Sequence, residues 1–282
     1  MRLATFTHRG RTRPGVVVDD DTIADLAGAS GVAPDVAALL VDLAPVRAAL
    51  ATAPRLPLAD VHLEAPIPRP GKFLGVGLNY ASHAAETKRE PPAFPVFFNK
   101  QVTCVNPPFD PIQLPRVSTQ LDYEGELAFV IGRRCRHVPR GRAREVIGGF
   151  TIVDDVSVRD WQRRAPTLTL GKSFDTHGPM GPWIVTTDAI DDPHALALET
   201  RVNGVVRQAG TTADLIFDCF TLVEILSTVC TLEPGDVVTT GTPAGVGVAD
   251  GAFLRVGDLV RITIAGIGAI EHRVIAEPEE VP

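Results

Sequence analysis

Cysteine is scarce in this 282-residue chain. Cys104, Cys135, Cys219 and Cys230 are the only four, and no two stand in a CxxC spacing. No Asn-x-Ser/Thr sequon occurs either. This usage excludes a disulfide or zinc framework and points to a reduced, cytoplasmic setting. The chain has no N-terminal apolar region of secretory type, and no apolar stretch long enough to span a bilayer. A helical membrane protein is therefore not expected. Net charge is −7 and no unbroken basic run tracks phosphates, so a nucleic-acid partner is not expected. What remains is 45% hydrophobic and 22% charged, an ordinary globular composition. The length allows one large domain, or one with a small companion.

The most informative stretch is LDYEGELAFVIG, Leu121 to Gly132. Glu124 and Glu126 stand two apart at the start of an apolar run. Residues i and i+2 of a strand point to one face, which sets these carboxylates side by side, roughly 7 Å apart along the backbone. At ~4 Å and an effective dielectric near 20, two such charges repel by about 4 kcal/mol. A hard divalent cation removes that repulsion; a solvated strand edge is the plainer alternative. Asp155 offers a third carboxylate, at the C-terminal end of the β-branched run that begins at Gly148. Three carboxylates leave part of a cation's oxygen shell open, as catalytic magnesium requires.

Other stretches carry chemistry of their own. Residues 1 to 65 read as a small unit, with strands over Arg2–Phe6 and Gly15–Asp19 about the turn-like RGRTRPG. A helix is expected over Asp35–Leu50, broken by Pro45. The Pro-rich EAPIPRPG suits a semi-rigid linker to the larger unit, residues 66–282. In GLNYASHAAETK, Asn79 or Ser82 is placed to cap a short helix through Lys88. There His83 and Glu86 share a face at i, i+3, and a carboxylate beside an imidazole raises its basicity. Gly75 and Gly77 do not complete a dinucleotide fingerprint, because Tyr80 replaces its third glycine. Gly171-Lys172-Ser173 is not a P-loop, because Pro166 stands where the first glycine belongs. Small and apolar neighbours suggest that Lys172 is held in a pocket. His177 reads as structural. Arg159 and Gln162, again i, i+3, can point together at an anion. Asn203-Gly204 marks a β-hairpin, and Leu215–Val229 an amphipathic helix. In TTGTPAGVG, Thr239 to Thr242 offer hydroxyls and backbone N–H groups to a carboxylate, or simply form a tight turn. Strands over Leu259–Ile264 and Ala269–Ile275 close the domain, and the tail AEPEEVP is expected to fray.

Taken together, GLNYASHAAE, LDYEGELAFVIG, DDVSVRDWQ, GKSFDTHGPMGPW and TTGTPAGVG resemble the fumarylacetoacetate hydrolase family, in the family's order and over roughly Gly71 to Arg273. The resemblance implies a β-rich α+β fold, a mixed β-sandwich roll with a small N-terminal α/β domain, usually assembled as a homodimer. It implies Mg2+, Mn2+ or Ca2+ held by Glu124, Glu126 and Asp155. It also implies a catalytic set of His83, Glu86 and Lys172, with Arg159, Gln162 and Thr242 near substrate. Three positions depart from the pattern. Asp154 stands where many members have Asn, RRAPTLT lacks a frequent Gly-Gln-Trp, and His177 replaces a frequent apolar residue. The last two leave the substrate's identity open.

Family substrates are small 2-oxo acids. The implied reaction is metal-dependent hydrolysis of a carbon–carbon bond in a 2,4-dioxo, acylpyruvate-like acid, through an enolate stabilised by the ion. His83, supported by Glu86, would activate water, and Lys172 would stabilise charge or deliver a proton. The helix bearing His83 would close as a lid. A decarboxylase or isomerase of a 2-oxo dicarboxylate is the alternative on the same scaffold, and a sugar-acid dehydratase a third. A non-catalytic dicarboxylate binder is the reading from outside enzymology.

Overall fold

The computed structural model describes residues 1–279. The run Gly125–Ile131 is apolar nearly throughout rather than alternating, and all seven residues are buried. That pattern belongs to a strand covered on both faces, and this strand lies deep within a 12-stranded sheet. It pairs antiparallel with Ile147–Asp154 on one side and with Val237–Thr239 on the other. Beyond Ile147–Asp154 lies Gly178–Thr186. Beyond Val237–Thr239 lies the parallel strand Phe73–Gly77, and then Val96–Asn99.

A five-stranded sheet runs in the order Val205–Thr211, Ala197–Val202, Leu259–Ile264, Gly268–Ala276 and Ile112–Leu114. Leu127 and Phe129 of the large sheet share one core with Leu198, Val260, Ile262 and Ile270 of this one. The helix Cys219–Val229 buries Leu222, Val223 and Leu226 in the same core. The sheets approach so closely at Gly125 that a Cβ there would lie 2.4 Å from the Thr200 hydroxyl. The architecture is the expected β-rich α+β sandwich.

The first 65 residues add strands to the large sheet. Arg2–His8 pairs with Gly178–Thr186, so Arg11–Val17, Thr22–Asp25 and Arg55–Pro57 extend the large sheet. Leu3, Val16 and Leu39 pack in one cluster with Ala128, Val130 and Met180. The expected RGRTRPG turn is shorter than its composition suggests. Arg9 and Gly10 alone make it, with φ of 51° and 73°, as a two-residue hairpin turn of type I′ requires. Arg11 to Gly15 consequently join the ladder.

The helix expected over Asp35–Leu50 with a break at Pro45 is two short ones, Val36–Leu39 and Ala44–Ala49. The break falls before Pro45, which sits in the first turn of the second helix, where its missing N–H costs nothing. The helix expected from Leu215 starts at Cys219, because the Asp218 carboxylate accepts from Thr221 N and caps it. Leu215 instead bridges Tyr80. The Asn203-Gly204 turn is as expected, with φ of 51° and 81°. Of the six arginines between Arg133 and Arg144, five are tied locally; Arg136, for example, donates to the Ser227 and Thr228 carbonyls at the end of Cys219–Val229. The tail is held as far as Glu277, whose carboxylate accepts from Arg116 N. Glu280 to Pro282, also expected to fray, lie outside the described residues.

Candidate metal and catalytic site

Register places the acids. Gly125 pairs with Asp154, so Glu124 and Glu126, on either side of Gly125, meet Asp155 just past the end of the neighbouring strand. Ligand atoms of the three carboxylates lie within 4.8 Å of one another, and all three residues are buried. Two more buried carboxylates back them. Asp122 accepts from Gly247 N, Val248 N and Arg159 Nε. Asp154 accepts from Glu124 N and meets His272 Nε2 at 2.8 Å.

Three buried cations face these five acids. Lys172 Nζ reaches Glu124 at 2.5 Å and Asp155 at 2.7 Å. Lys100 Nζ reaches Asp155 at 2.7 Å and donates to the carbonyls of Lys172 and His177. Arg159 Nη1 reaches Glu124 at 2.6 Å and Gln162 Oε1 at 3.0 Å. Burial alone would raise the Glu124 carboxyl, but Lys172, Arg159 and His83, in that order, hold it far below the usual range. Glu126 is the opposite case: burial first, then Asp155 and Glu124, push it well above its ordinary value. Among the described residues it has no cationic partner, and Gly241 N donates to it at 2.7 Å.

The donor set fits a hard divalent cation. Three carboxylate oxygens converge without a thiol or imidazole among them, which suits magnesium, manganese or calcium better than zinc. Were all five carboxyls ionised, they would outnumber the three fixed cations by two in a buried region, an excess that a dication neutralises. Arg159 Nη2 is buried beside this cluster with no partner among the described residues, a donor available to an anionic ligand.

Other expected residues fall into place, with differences. His83 Nδ1 lies 3.3 Å from Glu86 Oε2 on the helix Ala81–Glu86. The expected caps do not form. Tyr80 takes the cap position without a side-chain bond, Ser82 N donates to the distant Asp214, and the helix stops at Glu86 rather than Lys88. Asn79 is a buried cross-tie between the Phe217 backbone and the Thr240 carbonyl. The helix is docked by Glu86 Oε1, which accepts from Gly245 N at 2.8 Å. Thr242 spends its proton on the Gly125 carbonyl and accepts from Gln208, so its hydroxyl braces the acid strand. Gly171 is required by packing: a Cβ would lie 2.3 Å from Gln162 N. His177 is structural, as expected. Burial lowers its imidazole to about 3, and its Nε2 bonds the Gln113 carbonyl.

Four residues escaped the sequence reading of the site as partners of its acids: Lys100, Asp122, Asp154 and His272. Asp122 was within reach, since it continues the Glu124/Glu126 alternation by one step. So was His272, which alternates with the buried Ile270 and Val274. Lys100 has no local signal.

The segment Gly241 to Val248 is laced antiparallel to the acid strand. Glu126 holds Gly241 N, Gly125 O holds Thr242, Tyr123 holds Gly245 O, and Asp122 holds Gly247 and Val248. A cavity of about 510 Å3 is bordered by Glu86, Val205, Val206, Arg207, Gly245 and Asp250. A second, of about 410 Å3, is bordered by Thr5, Arg13, Pro34 and Pro68 and shares no residue with the acids.

Sandwich and acid cluster together define an enzyme of the fumarylacetoacetate hydrolase family, and the chain belongs to that family. Residues 72–275 match the fumarylacetoacetate (FAA) hydrolase C-terminal family, and residues 1–66 match the Rv2993c-like, N-terminal family. A Burkholderia ambifaria protein with a provisional hydrolase name is 41% identical over 275 residues, 95% of this chain and 96% of that one. The crystal structure of 5-carboxymethyl-2-hydroxymuconate delta-isomerase from Mycobacterium smegmatis is 39% identical with a TM-score of 0.81, covering 99% of this chain and all of the other. Maleylpyruvate hydrolase from Sphingobium sp. SYK-6, in complex with manganese(II) ion and pyruvate, is 35% identical with a TM-score of 0.84 and the same coverage.

Proposed function

We propose that this protein is a magnesium- or manganese-dependent hydrolase that cleaves a carbon–carbon bond in a small 2,4-dioxo acid. The observation that carries the reading is the convergence of Glu124, Glu126 and Asp155 in a buried cluster, with His83 paired to Glu86 at 3.3 Å. A dication held by the three carboxylates supplies Lewis acidity to the 2-oxo carboxylate end of the substrate. The remaining work belongs to side chains. Arg159 Nη2, without a partner among the described residues, binds the anionic end of the substrate, with Gln162 orienting the guanidinium. His83, its imidazole held by Glu86, takes a proton from water. The water oxygen adds to the distal carbonyl, and the Lys172 ammonium stabilises the negative charge. Collapse breaks the bond between the distal carbonyl and C3. The distal fragment leaves as a carboxylic acid, and the electron pair departs with C3 as the enolate of pyruvate, which is then protonated.

The likeness to the manganese- and pyruvate-containing Sphingobium hydrolase supports this reading. The likeness to the Mycobacterium smegmatis isomerase supports the second one, isomerisation or decarboxylation of a 2-oxo dicarboxylate at the same residues. The reading includes a cytoplasmic homodimer, which light scattering on the purified protein tests. Acetylpyruvate decides between the chemistries. Its enol absorbance should fall with magnesium or manganese and not with a chelator, yielding pyruvate and acetate. No loss of absorbance, with turnover of oxaloacetate instead, would replace hydrolysis by decarboxylation.

A further inference from the structure

The general base of the proposed reaction is held through a chain of contacts that begins on the acid strand. Glu86 uses one oxygen on His83, and its other oxygen accepts from Gly245 N at 2.8 Å. The Gly245 carbonyl accepts from the Tyr123 hydroxyl at 2.9 Å. That hydroxyl accepts in turn from Arg207 Nε at 2.7 Å, and Arg207 Nη2 is paired with Asp250 at 2.7 Å. The bonds donate in one sense from Arg207 through Tyr123 and Gly245 to Glu86, whose carboxylate accepts from both Gly245 N and the His83 ring. Gly245 is held on both faces of its residue. Its φ is +105°, and a Cβ would lie 1.9 Å from the Arg207 carbonyl, so no other residue fits the link.

We infer that Tyr123 is a positioning residue for the His83–Glu86 pair, acting through the backbone of Gly245, with Arg207 holding the Tyr123 hydroxyl in place. Tyr123 has no hydrogen bond to any acid of the cluster and directly precedes Glu124 in the chain. The stretch Tyr123 to Glu126, which presents two of the proposed metal ligands, thus sets the orientation of the base on a separate helix. Without the hydroxyl, the Gly245 carbonyl is released, the backbone torsions at Gly245 are freed, and the N–H on its other side no longer holds the Glu86 carboxylate in a fixed plane.

The inference rests on the proposed hydrolase reading, and its test separates the two. Hydrolysis of acetylpyruvate is measured for wild type, Tyr123→Phe, Glu86→Gln and the double variant, with manganese affinity followed by titration. Loss of a group behind a site residue commonly lowers activity 10- to 100-fold. Tyr123→Phe should lower kcat about tenfold with KM within about twofold, leave manganese affinity unchanged, and add nothing in the Glu86→Gln background. Equal losses in both backgrounds, or weakened manganese binding, would overturn the inference. If wild type does not hydrolyse acetylpyruvate, the proposed reaction fails, and the His83 ring nitrogen shifts at constant pH carry the test. They should move in Tyr123→Phe and not move further in the double variant; no movement overturns the inference. Arg207→Met should reproduce the effect in weaker form and serves should Tyr123→Phe not fold.

Discussion

Replacing Glu126 by glutamine should stabilise the metal-free protein and remove its response to magnesium. Glu126 is buried, has no cationic partner among the described residues, and faces two other carboxylates within 4.8 Å. At that distance and an effective dielectric near 20, one pair of like charges costs about 3 kcal/mol. Two repulsions, from Asp155 and Glu124, set against one attraction from Lys172, leave a net cost of about one such pair. Glutamine keeps an oxygen for Gly241 N and turns an amide toward the neighbouring carboxylates. For a chain of this size, about 3 kcal/mol corresponds to roughly 6 °C in Tm.

The sign with pH follows from the raised carboxyl. Its folded-state value exceeds the ordinary 4.5. The stability it contributes is therefore complete below pH 4.5 and is lost as pH rises through the folded value. In chelator the wild type should weaken across that window, and Glu126→Gln should not. Magnesium at about a hundredfold above its Kd should restore about 2.7 kcal/mol to the wild type. Melting curves at pH 8, with chelator and with magnesium, test all of this. A Glu126→Gln protein that melts at or below wild type in chelator, or that gains as much from magnesium, would refute the reasoning.

Lys100→Met should destabilise by about 3 kcal/mol or more, because it removes a buried cation from an acid-rich cluster and takes the donor from Asp155 Oδ1 and from the Lys172 and His177 carbonyls, with Lys172 still on Asp155 Oδ2; urea denaturation with chelator present would read it. Glu124→Ala should weaken magnesium binding strongly by removing a ligand, and an unchanged titration would sink the metal assignment. His177 is lowered from 6.5 to about 3, so its contribution is intact above pH 6.5 and is lost as pH falls toward 3. The full effect is about 4 to 5 kcal/mol, and His177→Gln, which can still donate to the Gln113 carbonyl, should flatten that part of the acid-denaturation curve. Gly245→Ala should cost several kcal/mol, of order 1–3 for the backbone conformation alone, with a matching fall in Tm.

Local pattern carried much of this protein. The Asn203-Gly204 hairpin, the apolar strand after Glu124 and the His83/Glu86 spacing are each set by residues adjacent in sequence or one helical turn apart, and they are as the sequence indicates. Helix ends were less legible. Asp218 caps through a local bond that competes with the apolar periodicity running back to Leu215, and Asp214 serves a helix more than 130 residues earlier.

The sequence by itself determined that two glutamates, one just before the strand Gly125–Ile131 and one within it, come close together, and that an imidazole stands beside a carboxylate, because strand and helix periods are properties of the local backbone. It did not determine which cations face those acids. Lys100 and Lys172 reach Asp155 from 55 and 17 residues away, Arg159 reaches Glu124 and Asp122 at once, and His272 meets Asp154 across 118 residues. Nor did it show that the threonines of TTGTPAGVG brace the acid strand. Those pairings depend on sheet register and on how two sheets close over each other. Electrostatic energy in a buried region depends on separations of a few ångströms, and only tertiary structure sets these for residues far apart in the chain.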